Sequence, residues 1–443
     1  MISQLLLSNF KSIKSHTDVS LKPYTLIYGP NSAGKSSLIQ SLLLLGQSSF
    51  DKVLFKTELL DLGTFTNAIS GQVSGYNTTF KIGFSSASFG DFHFGPHKYK
   101  WLIEFEVGRN VLPGKDGLGK FKELNLTLSS SDKNARRATF KIAQEKILRI
   151  GGTNSSKWIL TDPVLSDVSG GYPIIDPEQI CGVMPIIFNS SKNATALCDH
   201  LGLPNQIDQN DLVRLKKSLS QPLEEIFDMA HVPPVRNIPP EVFLNDARMG
   251  KLNAYSFYNN LAKDAEALED VNKALDRLEV KYKLTFNKME VSALNPRVQG
   301  VGSFTLNPSD LKIRLGFQDV GYGVSQVVPV LAAVFSKKSL ISIEQPELHL
   351  HPRLQGRLAD ILISAHKNNG SQFLIETHSE SLMLRIQRKI REEEINPDDV
   401  KILYVNPDGN GFSSVSEIDL DENGNFTSEW PNGFFEERFD DIF

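Results

Sequence analysis

Apolar positions change their period several times along the chain, and each change predicts a different kind of element. Residues 2–10 and 25–28 are apolar runs around a short polar excursion. They predict two strands, the second passing through a glycine-rich loop into a helix over 36–45. From about Thr79 to Leu160 the period is two, as in Trp101-Leu102-Ile103-Glu104-Phe105-Glu106-Val107 and Leu124-Asn125-Leu126-Thr127-Leu128, with glycine-rich breaks. That alternation predicts an antiparallel sheet or meander. Asp162 to Gln209 scatters Pro, Gly, Ser and Asp without period and predicts loop-rich surface structure. Between about Asp211 and Phe286 the spacing turns helical, with Leu268, Val271, Leu275 and Leu278 on one stripe. No heptad is sustained, so a short helical arm is expected and not a long coiled coil.

After Asn287 strands return, followed by a Gly-rich turn, an apolar strand, a long helix and another strand. The helix from Pro352 to His366 places Leu354, Leu358, Ile361, Leu362 and Ala365 on one face and stops at Asn369-Gly370. Strand–helix–strand order with continuous apolar strands predicts a buried parallel sheet.

Composition narrows the function classes. The chain has 443 residues, 40% hydrophobic and 22% charged, with a formal net charge of -5. A global basic field for nucleic acid is therefore excluded, and any DNA contact has to be local. The two cysteines, Cys181 and Cys198, have no partner Cys or His at zinc-ligand spacing, and a reducing cytoplasm is the expected location. The N-terminus has no signal-peptide pattern, and the apolar run Leu42 to Leu45 is far too short for a bilayer, so no membrane partner is expected.

The chemistry sits in three places. Gly29-Pro30-Asn31-Ser32-Ala33-Gly34-Lys35-Ser36 satisfies the P-loop pattern between an apolar strand and a helix. Its glycines let successive backbone N–H groups face a phosphate chain, and the helix N-terminus adds partial positive charge. Asn31, Ser32, Ala33, Gly34, Lys35, Ser36 and Ser37 are the expected ATP-binding residues, with the Ser36 hydroxyl on Mg2+. Leu340 to Glu347 is an apolar strand ending in acids. Glu344 is the candidate metal carboxylate, and Gln345 stands where a water-polarising glutamate is usual. Gln345 can orient water but cannot take its proton, so Glu347 is the candidate substitute. His378, after the strand Phe373 to Glu376, is placed to sense the terminal phosphate. His349 and His351 are closely spaced but fall in a loop expected to contact a second copy, so a metal role is not assigned to them.

Asp319 to Gln326 is a second Gly/Ser-rich turn opening a helix. One subunit does not need two such ends for one triphosphate, so Gly321, Gly323, Ser325 and Gln326 are expected to cap the ATP of a twin subunit across a two-fold axis.

These motifs, with Phe10-Lys11-Ser12-Ile13, Ile343 to Pro352, Thr377-His378-Ser379, His231 to Pro240 and Trp430-Pro431-Asn432-Gly433-Phe434-Phe435, resemble bacterial RecF/SMC-like ABC ATPases. The resemblance points to the overcoming-lysogenization-defect branch, such as the ATPase subunit of two-gene Septu- or PARIS-like systems. It implies an α/β fold: an ABC-type P-loop head with a mixed or parallel sheet, an antiparallel β lobe and a short helical arm. Four stretches are expected: 1–160, an N-terminal lobe with P-loop and β subdomain; 161–290, a loop-rich and helical insertion; 291–420, a C-terminal lobe; and 421–443, a tail. It also implies ATP-driven closure of a homodimer or larger assembly that regulates a separately encoded nuclease in anti-phage defence. Two alternatives stay open: a RecF-like DNA repair ATPase, and a non-hydrolysing ATP-gated scaffold, for which Gln345 is the motive.

The basic runs Arg385 to Arg391 and Arg214 to Lys217 are each followed by acids and read better as solvated helix faces than as DNA contacts. Trp430, Phe434 and Phe435 are expected to cover the core of the head. Arg236, between prolines, can brace the arm or reach a partner.

Overall fold

The computed structural model describes residues 1–48, 53–72, 78–86, 92–94, 97–109, 119–130, 138–147, 155–160, 217, 221–236, 243–246, 256–289, 298–311 and 313–431. The stretch read as loop-rich, Asp162 to Gln209, lies outside these residues, as do both cysteines and the tail residues Phe434 and Phe435. The chain forms two units that interleave in sequence. One comprises Met1–Leu21, Ser37–Phe227 and Pro407–Val415; the other comprises Lys22–Ser36, Asp228–Asn406 and Ser416–Phe443.

The chain opens with β1 (Ile2–Ser8), β2 (Thr17–Ser20), β3 (Tyr24–Tyr28), α1 (Ser36–Gln47) and α2 (Phe65–Ala68), then runs through β4 (Thr79–Ser86), β5 (Phe92–Phe94), β6 (His97–Arg109), β7 (Gly119–Ser130), β8 (Ala138–Ile147) and β9 (Ser155–Leu160). In the first unit the period-two stretch is an antiparallel meander, in spatial order β2-β1-β4-β6-β7-β8-β9 with β5 on β6. Phe80 of β4 stacks on Phe65 of α2, and Phe10 and Phe55, which lie outside the strands, pack on Phe80. Large rings in such offset or tilted pairs supply most of the burial available to a half-covered sheet.

The second unit continues with β10 (Ala230–Val232), β11 (Phe243–Asp246), α3 (Ser256–Leu261), α4 (Ala265–Arg277), β12 (Tyr282–Met289), β13 (Val298–Pro308), α5 (Tyr322–Val334), β14 (Leu340–Glu344), α6 (Pro352–Asn369), β15 (Gln372–Glu376), α7 (Glu380–Arg391), β16 (Val400–Pro407) and β17 (Ser413–Ile418). Its main sheet has the order β10-β14-β15-β3-β16-β17, and every pairing from β10 to β16 is parallel. β3, β14 and β15 are buried at every position, as continuous apolar runs in a covered parallel sheet must be. α6 ends as its sequence requires: Gly370 is left-handed at φ 68° and its N–H donates to the His366 carbonyl. A smaller antiparallel sheet, β11-β13-β12, carries part of the same core through Leu284, Phe304 and Leu306.

The stretch from Asp211 to Phe286 is not helical throughout. α4 carries the expected stripe, with Val271 and Leu275 buried, and Asp264 caps it by accepting from the N–H groups of Glu266 and Ala267. The chain turns at Leu278-Glu279 and is already extended from Tyr282, where β12 pairs with β13. Leu284 and Phe286 alternate with polar residues, but the helical period of Leu268 to Leu278 runs on into them and hides the change. β10 is three residues long, too short for any period to be visible, and only its pairing with β14 makes it a strand.

Candidate functional site

In a parallel sheet, ligands meet the carboxyl ends of the strands. Here β3 leads into Gly29, while the neighbouring β14 and β15 end at Glu344 and Glu376, which are register partners. One sheet edge thus holds a glycine loop beside two acids.

The loop has the backbone its glycines permit. Gly29 sits at φ 144° and Gly34 at φ 93°, and Ser32 is left-handed at 60°. A Cβ on Gly29 would stand 2.2 Å from the Val405 carbonyl oxygen in β16, so no larger residue fits. Asn31 and Ser32 are exposed at the tip; Ala33 and Ser37 are buried behind it, with the Ser37 hydroxyl 3.4 Å from that of Ser12. Lys35 is buried, and its ammonium donates to the carbonyls of Gly29 at 3.1 Å and Pro30 at 2.9 Å. Burial lowers its pKa, opposed by Glu376, Glu344 and Glu347 in that order. These three acids are the electrostatic partners of the P-loop lysine.

Glu376 is a residue of this cluster that sequence reasoning missed. Its Oε2 accepts from the Ser36 hydroxyl at 2.7 Å, and its Oε1 lies 4.0 Å from the Lys35 ammonium. Burial raises its pKa, and the Ser36 hydrogen bond and Lys35 hold it back. The signal was present: an apolar strand ending in an acid, Phe373-Leu374-Ile375-Glu376, has the form of Ile341 to Glu344. Glu344 is buried too, with Oε1 3.7 Å from Nε2 of His231. Burial pushes the His231 ring down to about 3, so at neutral pH it is a neutral imidazole, with Nδ1 2.9 Å from the Ser342 hydroxyl. The His231–Glu344 approach is therefore a polar contact and not an ion pair.

Past Glu344 the chain turns sharply. Gln345 is left-handed at φ 48°, and its N–H donates to the Glu376 carbonyl at 2.7 Å, extending the ladder by one bond. The turn brings Glu347 back toward the sheet, where Oε1 accepts from the His378 N–H at 2.7 Å. Burial raises the Glu347 pKa, against hydrogen bonds from His378 and Thr377 and the Arg236 charge. Glu347 Oε2 and His378 Nε2 are buried with no hydrogen-bond partner among the described residues. Burial, and then Lys35, lower the His378 pKa, which favours the neutral ring. Ser379 caps α7 and donates its hydroxyl to Gln355, while its carbonyl accepts from the Tyr28 hydroxyl at 3.0 Å.

The Gly/Ser turn opens α5 with no side-chain cap at Gly321. Gly321 and Tyr322 are exposed, and a Cβ on Gly321 would touch nothing within 4 Å. Ser325 and Gln326 are buried one turn in, the Ser325 hydroxyl donating to the Tyr322 carbonyl at 2.8 Å. His349 lies edge-on to Tyr322, and His351 caps α6 by accepting from the Arg353 N–H. The α7 basic run is paired with acids: Arg385 and Lys389 with Asp360, and Arg388 and Lys389 with Glu392. Most of the run Arg214 to Lys217 lies outside the described residues. Trp430 is buried and packs edge-on against Tyr28, Tyr404 and Phe426. No described helix is long and apolar enough to cross a membrane.

Residues 1–383 match the family model described as AAA ATPase domain, and residues 395–443 match one described as protein of unknown function (DUF3696). No curated protein matches the chain. Among solved structures it is similar to an Smc head bound to the C-winged helix domain of ScpA, at 12% identity over 95% of this chain and 98% of that one, TM-score 0.46. It is also similar to an Smc head with an extended coiled coil bound to the C-terminal domain of ScpA derived from Pyrococcus furiosus, at 12% identity over 94% and 96%, TM-score 0.46. A third is the SMC head domain from Thermotoga maritima, at 12% identity over 94% and 98%, TM-score 0.34.

Proposed function

The chain belongs to the AAA ATPase domain family, and from that premise we propose that it binds ATP with Mg2+ at Gly29–Ser36, hydrolyses it, and closes as an ABC-type homodimer around it. The observation that carries this is the meeting of Lys35 and Ser36 with Glu376, Glu344 and Glu347 at one edge of a parallel sheet.

The donor set suits a hard cation. Mg2+ takes oxygen ligands and needs only one or two carboxylates beside phosphate and water. Ser36 offers a hydroxyl and Glu344 and Glu376 offer adjacent carboxylates, so these three would hold the ion, which supplies charge neutralisation to the phosphates. The Ser36–Glu376 bond and the two Lys35–carbonyl bonds occupy the same groups that a nucleotide would recruit. Binding exchanges these intraprotein hydrogen bonds for bonds to phosphate.

A positioned proton acceptor speeds attack by water on the terminal phosphate, and Gln345 can orient that water but cannot take its proton. Glu347 is buried, turned inward onto the His378 N–H, and has an oxygen with no hydrogen-bond partner among the described residues. It is the base of this site, and this favours turnover over a non-hydrolysing scaffold. The uncapped, exposed start of α5 fits a helix end that meets the nucleotide of a second copy. Regulation of a separate effector nuclease in anti-phage defence, in the cytoplasm, is the biological role consistent with this reading.

The test uses the full chain, with nucleotide binding, phosphate release and light scattering measured together. Wild type should bind ATP, hydrolyse it and double in mass when ATP is present, and Lys35→Ala should do none of these. Glu347→Gln should bind and dimerise with turnover cut at least about a hundredfold. A wild type that stays a lone subunit when saturated with ATP defeats the dimer; a Glu347→Gln variant that turns over normally defeats the base. Copurification with a nuclease from the native operon would support the effector role, and recovery of the ATPase alone would count against it.

A further inference from the structure

Arg236 belongs to none of the nucleotide-binding motifs, yet only 5% of it is exposed. It follows β10 through Pro233-Pro234-Val235, where two prolines restrict the backbone. β10 and β14 run parallel with Val232 opposite Ile343, so both chains leave the sheet side by side and Arg236 returns over the end of β14. There its Nη2 donates to the Gln345 carbonyl in a short contact and reaches the Glu344 carbonyl at 3.5 Å.

Those carbonyls bracket the left-handed Gln345. A non-glycine residue in that region costs roughly 1–2 kcal/mol and persists only where its surroundings enforce it. Two bonds do so, Gln345 N–H to the Glu376 carbonyl at 2.7 Å and Leu348 N–H to the Gln345 carbonyl at 3.1 Å, and Leu350 N–H to the Glu347 carbonyl at 3.0 Å continues the turn. To these backbone bonds Arg236 adds a side-chain grip from a different strand. The turn is what directs Glu347 onto His378. Arg236 Nε and Nη1 and Glu347 Oε2 have no hydrogen-bond partner among the described residues, so the pair is not closed into a neutralising ion pair. Buried polar atoms are satisfied in the great majority of cases, so these exceptions need a physical reason.

We infer that Arg236 is a positioning residue for hydrolysis: it fixes the Glu344–Glu347 turn so that the Glu347 carboxylate stands in the nucleotide site, without itself touching ATP. This rests on the reading of Glu347 as the base. Loss of Arg236 lets Gln345 relax toward ordinary backbone angles and Glu347 swing off the His378 N–H. The P-loop, which carries affinity, is left in place.

Arg236→Met keeps the volume and removes the donors, while Arg236→Lys keeps charge and a donor head. In the full chain, Arg236→Met should hold ATP within about twofold of wild type and lose roughly ten- to a hundredfold in kcat at nearly unchanged KM, with Arg236→Lys recovering part of the loss. Hydrogen exchange at the Leu348 and Leu350 amides should quicken about tenfold. In a Glu347→Gln background, Arg236→Met should cost less than about twofold more, because both changes remove one function. Unchanged exchange at Leu348 and Leu350, wild-type kcat in Arg236→Met, or losses that multiply with Glu347→Gln would each overturn the inference. If Arg236→Met does not fold, Arg236→Lys is judged by the same exchange and kcat criteria. Normal turnover by Glu347→Gln would instead break the base reading, and the exchange data would still decide whether Arg236 holds the turn.

Discussion

Burial holds the Glu347 carboxyl above the usual carboxylate range although His378, Thr377 and Arg236 all favour its charged form. Because the folded-state pKa exceeds the unfolded one, the folded chain binds this proton more tightly. The associated stability is present below the unfolded pKa and is lost as pH rises through the folded value. Glu347→Gln should therefore unfold at a higher temperature than wild type at pH 8, with the difference shrinking toward pH 4, in calorimetric scans across that range. The same variant should lose at least about a hundredfold in kcat, the lower range for a positioned base. A stabler but inactive protein is the expected mark of a carboxylate kept buried for chemistry. Gly29 makes the opposite case, where geometry alone decides. A methyl group there meets the Val405 carbonyl at 2.2 Å, and φ is 144°. Gly29→Ala should cost about 3 kcal/mol or more in urea unfolding, since backbone and not a side chain would have to move.

At the scale of single elements, α6 shows how local chemistry ends a helix cleanly. Pro352 opens it behind His351, and Gly370 closes it left-handed, where an added methyl group would meet nothing within 4 Å. Gly370→Ala should cost about 1 kcal/mol from backbone conformation alone, with no packing contribution, measurable as a shift in denaturation midpoint at unchanged m-value. Every signal for this helix lies within its own residues, and its start, stripe and stop were all legible. β10 and β12 are the converse. Three residues carry no period, and Tyr282 to Met289 inherits an apparent helical one; each became a strand because a neighbouring strand satisfied its backbone bonds.

For the molecule as a whole, the sheet that carries the P-loop strand is completed by β16 and β17. β16 pairs with β3 from Val400 opposite Tyr24 to Tyr404 opposite Tyr28, and Trp430 then packs on Tyr28 and Tyr404. The P-loop strand is thus flanked on one side by residues from the second matched region, 395–443. Trp430→Ala should cost about 3–5 kcal/mol, the usual range for a buried tryptophan, read from urea unfolding. Truncation after Glu394 should leave a chain that neither binds ATP nor shows a cooperative transition, because β3 would lose a strand partner and its aromatic cover. A truncated chain that melts cooperatively and binds ATP would contradict that dependence.

Much of the site could be read without coordinates because its signals are local: a glycine loop between strand and helix, acids at the end of apolar strands, and for α6 a cap and a stop. Backbone geometry and short-range hydrogen bonding dictate these within a few residues. The partnerships could not be read. Glu376 lies 340 positions from Ser36, and Arg236 lies 109 from Gln345, and each pair meets only through parallel pairing of distant strands. Such contacts depend on strand order, which no local period records, so folding alone decided which acid met the P-loop serine and what held the turn behind it.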